Sequence, residues 1–148
     1  MNDHYITMAK LHEIMPDANA STVIQLGRLL NKTIEEFEII HVAAFLARIA
    51  LDSRELSYIE EESIEPYKGR GLLKIKGREM YYKCSIYFDK NFIKYPEVVA
   101  SAVWCCRTAG WYWRYQDASE TRTESSEEYF KFYHRAKEVL QNEIIEKV

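Results

Sequence analysis

Val42, Phe45, Leu46, Ile49 and Ala50 recur at i, i+3, i+4, i+7 and i+8, the stripe of an α-helix with one buried face. The helix predicted there runs from His41 to about Ser53 and carries Asp52 into its last turn. Upstream, Leu26, Leu29, Leu30, Ile34 and Phe37 keep the same period while Arg28, Lys32, Glu35 and Glu36 lie largely off it. A helix is predicted from a Ser21 N-cap to about Phe37. Further helices are predicted from Arg78 to Phe88 and from Pro96 through Val98, Val99, Ala102, Val103 and Cys106, the latter as the central core helix. The last is predicted from a Ser125-x-x-Glu128 capping box through Tyr129, Tyr133, Ala136, Leu140 and Ile144. Leu56 to Ile59 are β-compatible, 116–126 read as a polar loop, and a small β element is predicted between Leu56 and Ile75. The pattern is that of a mainly α protein.

Composition narrows the class. In 148 residues, 47% hydrophobic and 29% charged, there is apolar material for one core, so residues 1–148 are predicted to form a single soluble domain. A net charge of -3 with no basic stripe argues against a nucleic-acid partner. The first eleven residues lack a basic-then-apolar leader, and nowhere do about 18 apolar residues run together. Synthesis in the cytoplasm without membrane insertion is expected, so action on a cell wall would require release or injection.

Cys84, Cys105 and Cys106 are odd in number and lack metal-ligand spacing, and the four histidines are scattered. They read as reduced packing residues, and neither a metal nor another cofactor is expected. Gly69-Arg70-Gly71 fits neither phosphate-binding glycine pattern. Trp104, Trp111, Tyr112 and Trp113 could stack on sugars, but aromatics at helical spacing read first as core.

The candidate chemistry lies in carboxylates. Asp52 sits where the helix dipole presents negative charge, which disfavours its ionised form, and burial beside Leu56 would act in the same direction. Glu60, Glu61 and Glu62 follow as a run that by itself reads as a solvated face. Arg70 and Arg78 read as forked donors that pair with carboxylates and hold a cleft in shape.

Ala44-Phe-Leu-Ala47, then Asp52-Ser53, Glu61, Tyr67-x-Gly69-Arg70-Gly71 and Gly77-Arg78-x-x-Tyr81 together resemble the family 19 glycoside hydrolases, the chitinases and phage-type lysozymes. Leu11-His-Glu-Ile-Met-Pro16, with Leu29, Leu30 and Asn31, resembles the phage-type members. The resemblance implies a lysozyme-like bilobal fold and an inverting hydrolase of β-1,4-linked amino-sugar polymers, peptidoglycan more than chitin. It implies Asp52 as the acid and, nine residues on, Glu61 as the base, with Glu60 and Glu62 as register alternatives. Such a pair needs carboxyl groups about 6.5–9.5 Å apart, with room for a water. Tyr67, Arg70, Lys74, Lys76, Arg78 and Tyr81 would bind substrate or support the cleft.

Four features depart from that family. Leu51-Asp52 stands where it has His-Glu, Lys74 and Lys76 replace a Gln and a hydroxyl residue, an Asn-Gly-Gly segment is absent, and only four residues separate Glu62 from Tyr67. These departures define the alternative, an inactive relative that binds glycan or a protein partner.

Overall fold

The computed structural model describes residues 5–115 and 126–146, with side chains to Gln141. Among the described residues six α-helices follow in order: α1 (Met8–Ile14), α2 (Ala20–Phe37), α3 (Val42–Asp52), α4 (Arg78–Phe88), α5 (Ala102–Tyr115) and α6 (Glu127–Glu146). α1 was not foreseen; Thr7 caps it by accepting the Lys10 N–H, and it buries Leu11 and Ile14. α4 has its predicted bounds, and α3 lies within one residue of its own at each end.

The predicted N-caps shift. Asn19, not Ser21, caps α2, because its Oδ1 reaches the N–H groups of Ser21 and Thr22 at 2.9 and 3.4 Å. On α6 Ser126 takes that part, its Oγ accepting the Tyr129 N–H at 3.1 Å, while Ser125 lies outside the described residues. Ala136 and Val139 bury the α6 face, with Tyr129, Tyr133 and Leu140 half-buried; the Ile144 side chain is outside the described part.

The helix predicted from Pro96 divides in two. Pro96–Ala100 is a 3₁₀ helix, Ser101 is extended with ψ 159°, and α5 begins at Ala102. Val98 and Val103 are exposed and only Val99 of that stretch is fully buried, so the apparent stripe was two short ones in different phase. α5 is nonetheless a core helix and packs on α2 through Gly110, where an added Cβ would lie 2.4 Å from Thr33 Cγ2 and 2.9 Å from Phe37. α3 packs on α6, and Phe45 meets Trp113 edge-on at 5.7 Å.

Two apolar clusters result. The larger joins α1, α2, α3, α5 and α6; the smaller gathers Ile75, Tyr81, Cys84, Phe92, Val99 and Trp111 around α4. Residues 53–77 run between them. Leu72 and Leu73 enter the larger cluster and Ile75 the smaller, which fixes the intervening Lys74 at their junction. The predicted β element is reduced to isolated bridges, Glu60 with Arg70 and Arg70 with Ile75, and no strand occurs among the described residues. Trp111 and Trp113 are buried and Trp104 and Tyr112 half-buried, as core aromatics should be. The three cysteines are buried free thiols, and burial pushes that of Cys84 up to about 12. No described helix is long and apolar enough to cross a membrane.

Candidate active site

α3 ends at Asp52, and the chain then turns back through three consecutive non-glycine residues in the left-handed region: Arg54, Glu55 and Leu56, at φ 49°, 55° and 71°. Each costs about 1–2 kcal/mol of backbone strain. The turn persists because its polar groups are met: Ser53 Oγ donates to the Ile49 carbonyl and accepts the Leu56 N–H, and the Glu55 N–H donates to the Ala50 carbonyl at 2.8 Å. Leu56 is buried in the larger cluster. This left-handed turn, in place of the extended start expected at Leu56, carries the chain from Asp52 to the glutamate run.

Glu60 and Glu61 pair across the glycine turn, and each meets a different partner. Glu60 Oε2 accepts from Arg70 Nε at 2.7 Å, and that bond, helped by Lys68 at 3.8 Å, holds its carboxyl below the ordinary carboxylate range. Arg70 is buried and also donates Nη1 to the Pro66 carbonyl and the Tyr81 hydroxyl, both at 3.0 Å. Tyr81, fully buried, donates to the Lys68 carbonyl at 2.6 Å. Tyr67 packs its ring 5.2 Å from that of Tyr81 and donates to the Ile93 carbonyl. Glu60, Arg70, Tyr67 and Tyr81 thus form the frame that shapes the turn.

Glu61 is held on the other side. Its Oε1 accepts the Gly69 N–H at 2.8 Å and lies 3.3 Å from the exposed Lys76 ammonium. The Gly69 N–H, more than Lys76 and Lys74, keeps this carboxyl below its ordinary range against the opposing effect of partial burial. Glu62 is exposed. Of the three register alternatives, Glu60 is engaged by Arg70, Glu61 by Gly69 and Lys76, and Glu62 is exposed.

Lys74 reaches back to the end of α3. Its backbone is left-handed at φ 53°, its side chain is half-buried, and its ammonium donates to the Asp52 carbonyl at 3.1 Å and to the Tyr58 carbonyl. Burial lowers its pKa to about 8, Arg54 pushes the same way, and the Asp52 and Glu61 charges oppose them. The Tyr58 ring lies between two cations, Arg54 at 4.1 Å and Lys74 at 4.6 Å. Lys74 is therefore a half-buried cation held by main-chain carbonyls, whereas Lys76 is exposed.

Arg48 escaped sequence reading. It is buried on α3 one turn before Asp52, with Nη1 3.7 Å from Asp52 Oδ1 and its guanidinium 4.7 Å from the ring of Tyr129 on α6. A lone arginine inside the apolar run Phe45 to Leu51 was the available signal, since a buried cation needs a partner one turn away. Arg78 is exposed at the start of α4 and has no ion-pair partner among the described residues, contrary to the pairing expected of it.

The helical frame, with a bridged glycine turn between two apolar clusters, is the chitinase/lysozyme-like fold of the family 19 glycoside hydrolases. Chitinase C from Streptomyces griseus HUT6037 superposes with a TM-score of 0.71 over 95% of each chain, at 16% sequence identity. A variant of chitinase C with one glutamate changed to glutamine gives 0.66 over 93% of each chain at 13% identity. At these identities the likeness is one of fold. No family model matches the sequence, and no curated protein matches it either.

Proposed function

We propose that this protein is a glycoside hydrolase that cleaves β-1,4-linked amino-sugar polymers with inversion, Glu61 acting as the base that activates water. The observation that carries the reading is the Gly69 N–H on Glu61 Oε1, which holds that carboxyl below its ordinary range, the state a base requires. Peptidoglycan is the favoured substrate over chitin, on the resemblance of the N-terminal segment to phage-type lysozymes. The resemblance gives the acid's place to Asp52. The Arg48 guanidinium lies 3.7 Å from that carboxyl group, and the role proposed for Asp52 is to stabilise positive charge developing on the sugar.

A second reading has its own observation. Arg48 on Asp52, Lys76 on Glu61 and the seated Lys74 ammonium give the carboxylates cationic partners, as suits a relative that binds amino-sugar chains without cutting them. Incubating the purified protein with peptidoglycan and with chitin, followed by mass spectrometry of soluble fragments, separates the two. New reducing-end fragments from wild type and none from Glu61→Gln support hydrolysis; binding to the polymer without fragments supports the second reading.

A further inference from the structure

Resting on the peptidoglycan reading above, we infer that a pocket beside the candidate site takes the peptide which that polymer carries. Asp17 and Glu55 would hold a side-chain ammonium of the peptide, and Arg54 and Lys131 a carboxylate. The pocket lies where the end of α3, the α1–α2 connection and the first turns of α6 meet. Its volume is about 360 Å³, and Asp17, Glu55, Glu128, Arg54, Lys131 and Phe132 line it. That is the small end of the range for ligand sites, about 300–1,000 Å³, and suits a short stretch of peptide better than a sugar chain.

The charges around this pocket are open to solvent and leave one another unpaired. Asp17, Arg54, Glu128 and Lys131 are exposed, and among the described residues neither they nor Glu55 form an ion pair. Both signs therefore remain available to a ligand that carries both.

Arg54 is pre-set for a carboxylate. Its backbone is fixed in the left-handed region at φ 49°, and its guanidinium lies over the Tyr58 ring, 4.1 Å from the centroid. An arginine over an aromatic face keeps its in-plane N–H fork for acceptors, and the Arg54 side chain donates no hydrogen bond among the described residues. A fork held in this way can meet a carboxylate with two parallel bonds.

The acidic side is set for a cation. Glu55 Oε2 accepts the Asp17 N–H at 3.0 Å, which brings the two residues together. Burial, and then the Asp17 charge, hold the Glu55 carboxyl above its ordinary range against the pull of Arg135 and Lys131. An ammonium placed there offsets that repulsion.

The pocket also adjoins the candidate site. Leu51 and Arg54 line it on either side of Asp52 in the chain, and the Tyr58 ring beneath Arg54 carries the Lys74 ammonium at 4.6 Å. A glycan strand that passes Asp52 presents its peptide to this pocket. Chitin carries no peptide, so the pocket selects between the two polymers.

Isothermal titration calorimetry of the full chain tests this with N-acetyl-L-alanyl-γ-D-glutamyl-L-lysyl-D-alanine. The control is the same peptide acetylated on its lysine and amidated at its carboxyls. Wild type should bind the charged peptide about 10-fold or more tighter than the blocked one. Arg54→Ala should weaken binding by about 10-fold or more, and so should Glu55→Gln, which keeps an acceptor for the Asp17 N–H. Lys131→Ala, exposed on α6, should weaken it by about 3-fold and serves if the turn variants fail to fold by circular dichroism. Glu55→Gln and Lys131→Ala should slow fragment release from intact peptidoglycan by similar factors, and leave it unchanged on strands stripped of peptide by an amidase. Equal affinity for the two peptides, or folded variants that all bind like wild type, would overturn the pocket while leaving hydrolysis intact. Selective peptide binding without fragments from any polymer upholds the pocket and refutes the hydrolase reading alone.

Discussion

Glu61 and Gly69 are bonded to each other twice: the Glu61 N–H donates to the Gly69 carbonyl at 2.9 Å, and the Gly69 N–H donates to Glu61 Oε1 at 2.8 Å. A Cβ on Gly69 would lie 2.8–2.9 Å from that same carboxyl group. Gly69 is not among the residues with positive φ, so alanine is acceptable to the backbone and only the carboxylate must move. Gly69→Ala is expected to lower hydrolysis by about 100-fold, the cost of displacing a reacting group by about 1 Å, with little change in Tm. Parallel rate and melting measurements on the one variant check this.

The Glu60–Arg70 pair predicts a pH-dependent stability. Arg70 is buried, so Glu60→Ala should cost about 2 kcal/mol at pH 7, discounted from a fully buried pair because Glu60 is 42% exposed. The folded carboxyl titrates below its ordinary value of 4.5. The pair's contribution is therefore complete above that value and is lost as the pH falls through the lower folded one. Urea unfolding of wild type and variant should differ at pH 7 and converge in strong acid.

Lys74 predicts the opposite window. Its pKa falls from 10.5 in the unfolded chain to about 8 in the fold, so between these values the unfolded state holds more protons and stability rises with pH. The cost of burying the ammonium is complete below pH 8 and gone above pH 10.5. Lys74→Met should gain stability relative to wild type at pH 7, and that advantage should shrink by about 2 kcal/mol by pH 10.5, the full shift discounted because the side chain is only half-buried.

Two helical glycines should respond differently to alanine. At Gly110 the new methyl meets Thr33 and Phe37 across the α2–α5 contact, and a loss of about 1–3 kcal/mol is expected. At Gly27 it meets the flexible end of Met8, and the gain in helix propensity offsets the displacement to within about 1 kcal/mol. Thermal unfolding of both variants gives the comparison.

What could be read from the sequence follows how each feature is encoded. α3 was legible because its apolar period is plain in the sequence, and the Tyr67 to Tyr81 motif was legible because Arg70, Tyr67 and Tyr81 within it make one frame. The Pro96–Ala100 turn was not, since valines at 98, 99 and 103 mimic a helical stripe and the break depends on the extended backbone of Ser101. The left-handed turn at 54–56 was illegible for a stronger reason: residues that disfavour that conformation adopt it because Ser53 bonds the turn to Ile49 and Leu56, and Leu56 is buried in the larger cluster. The half-burial of Lys74 was not legible, because nothing local shows that its neighbours Leu73 and Ile75 enter different clusters.

The account stands or falls on Glu61 activating a water on the face of the sugar opposite the leaving oxygen, and the stereochemistry of the product reports that directly. Proton NMR of the reducing ends formed in the first minutes of digestion, before mutarotation, should show the α anomer from a β-linked polymer. Initial formation of the β anomer, or no reducing ends at all, would contradict it.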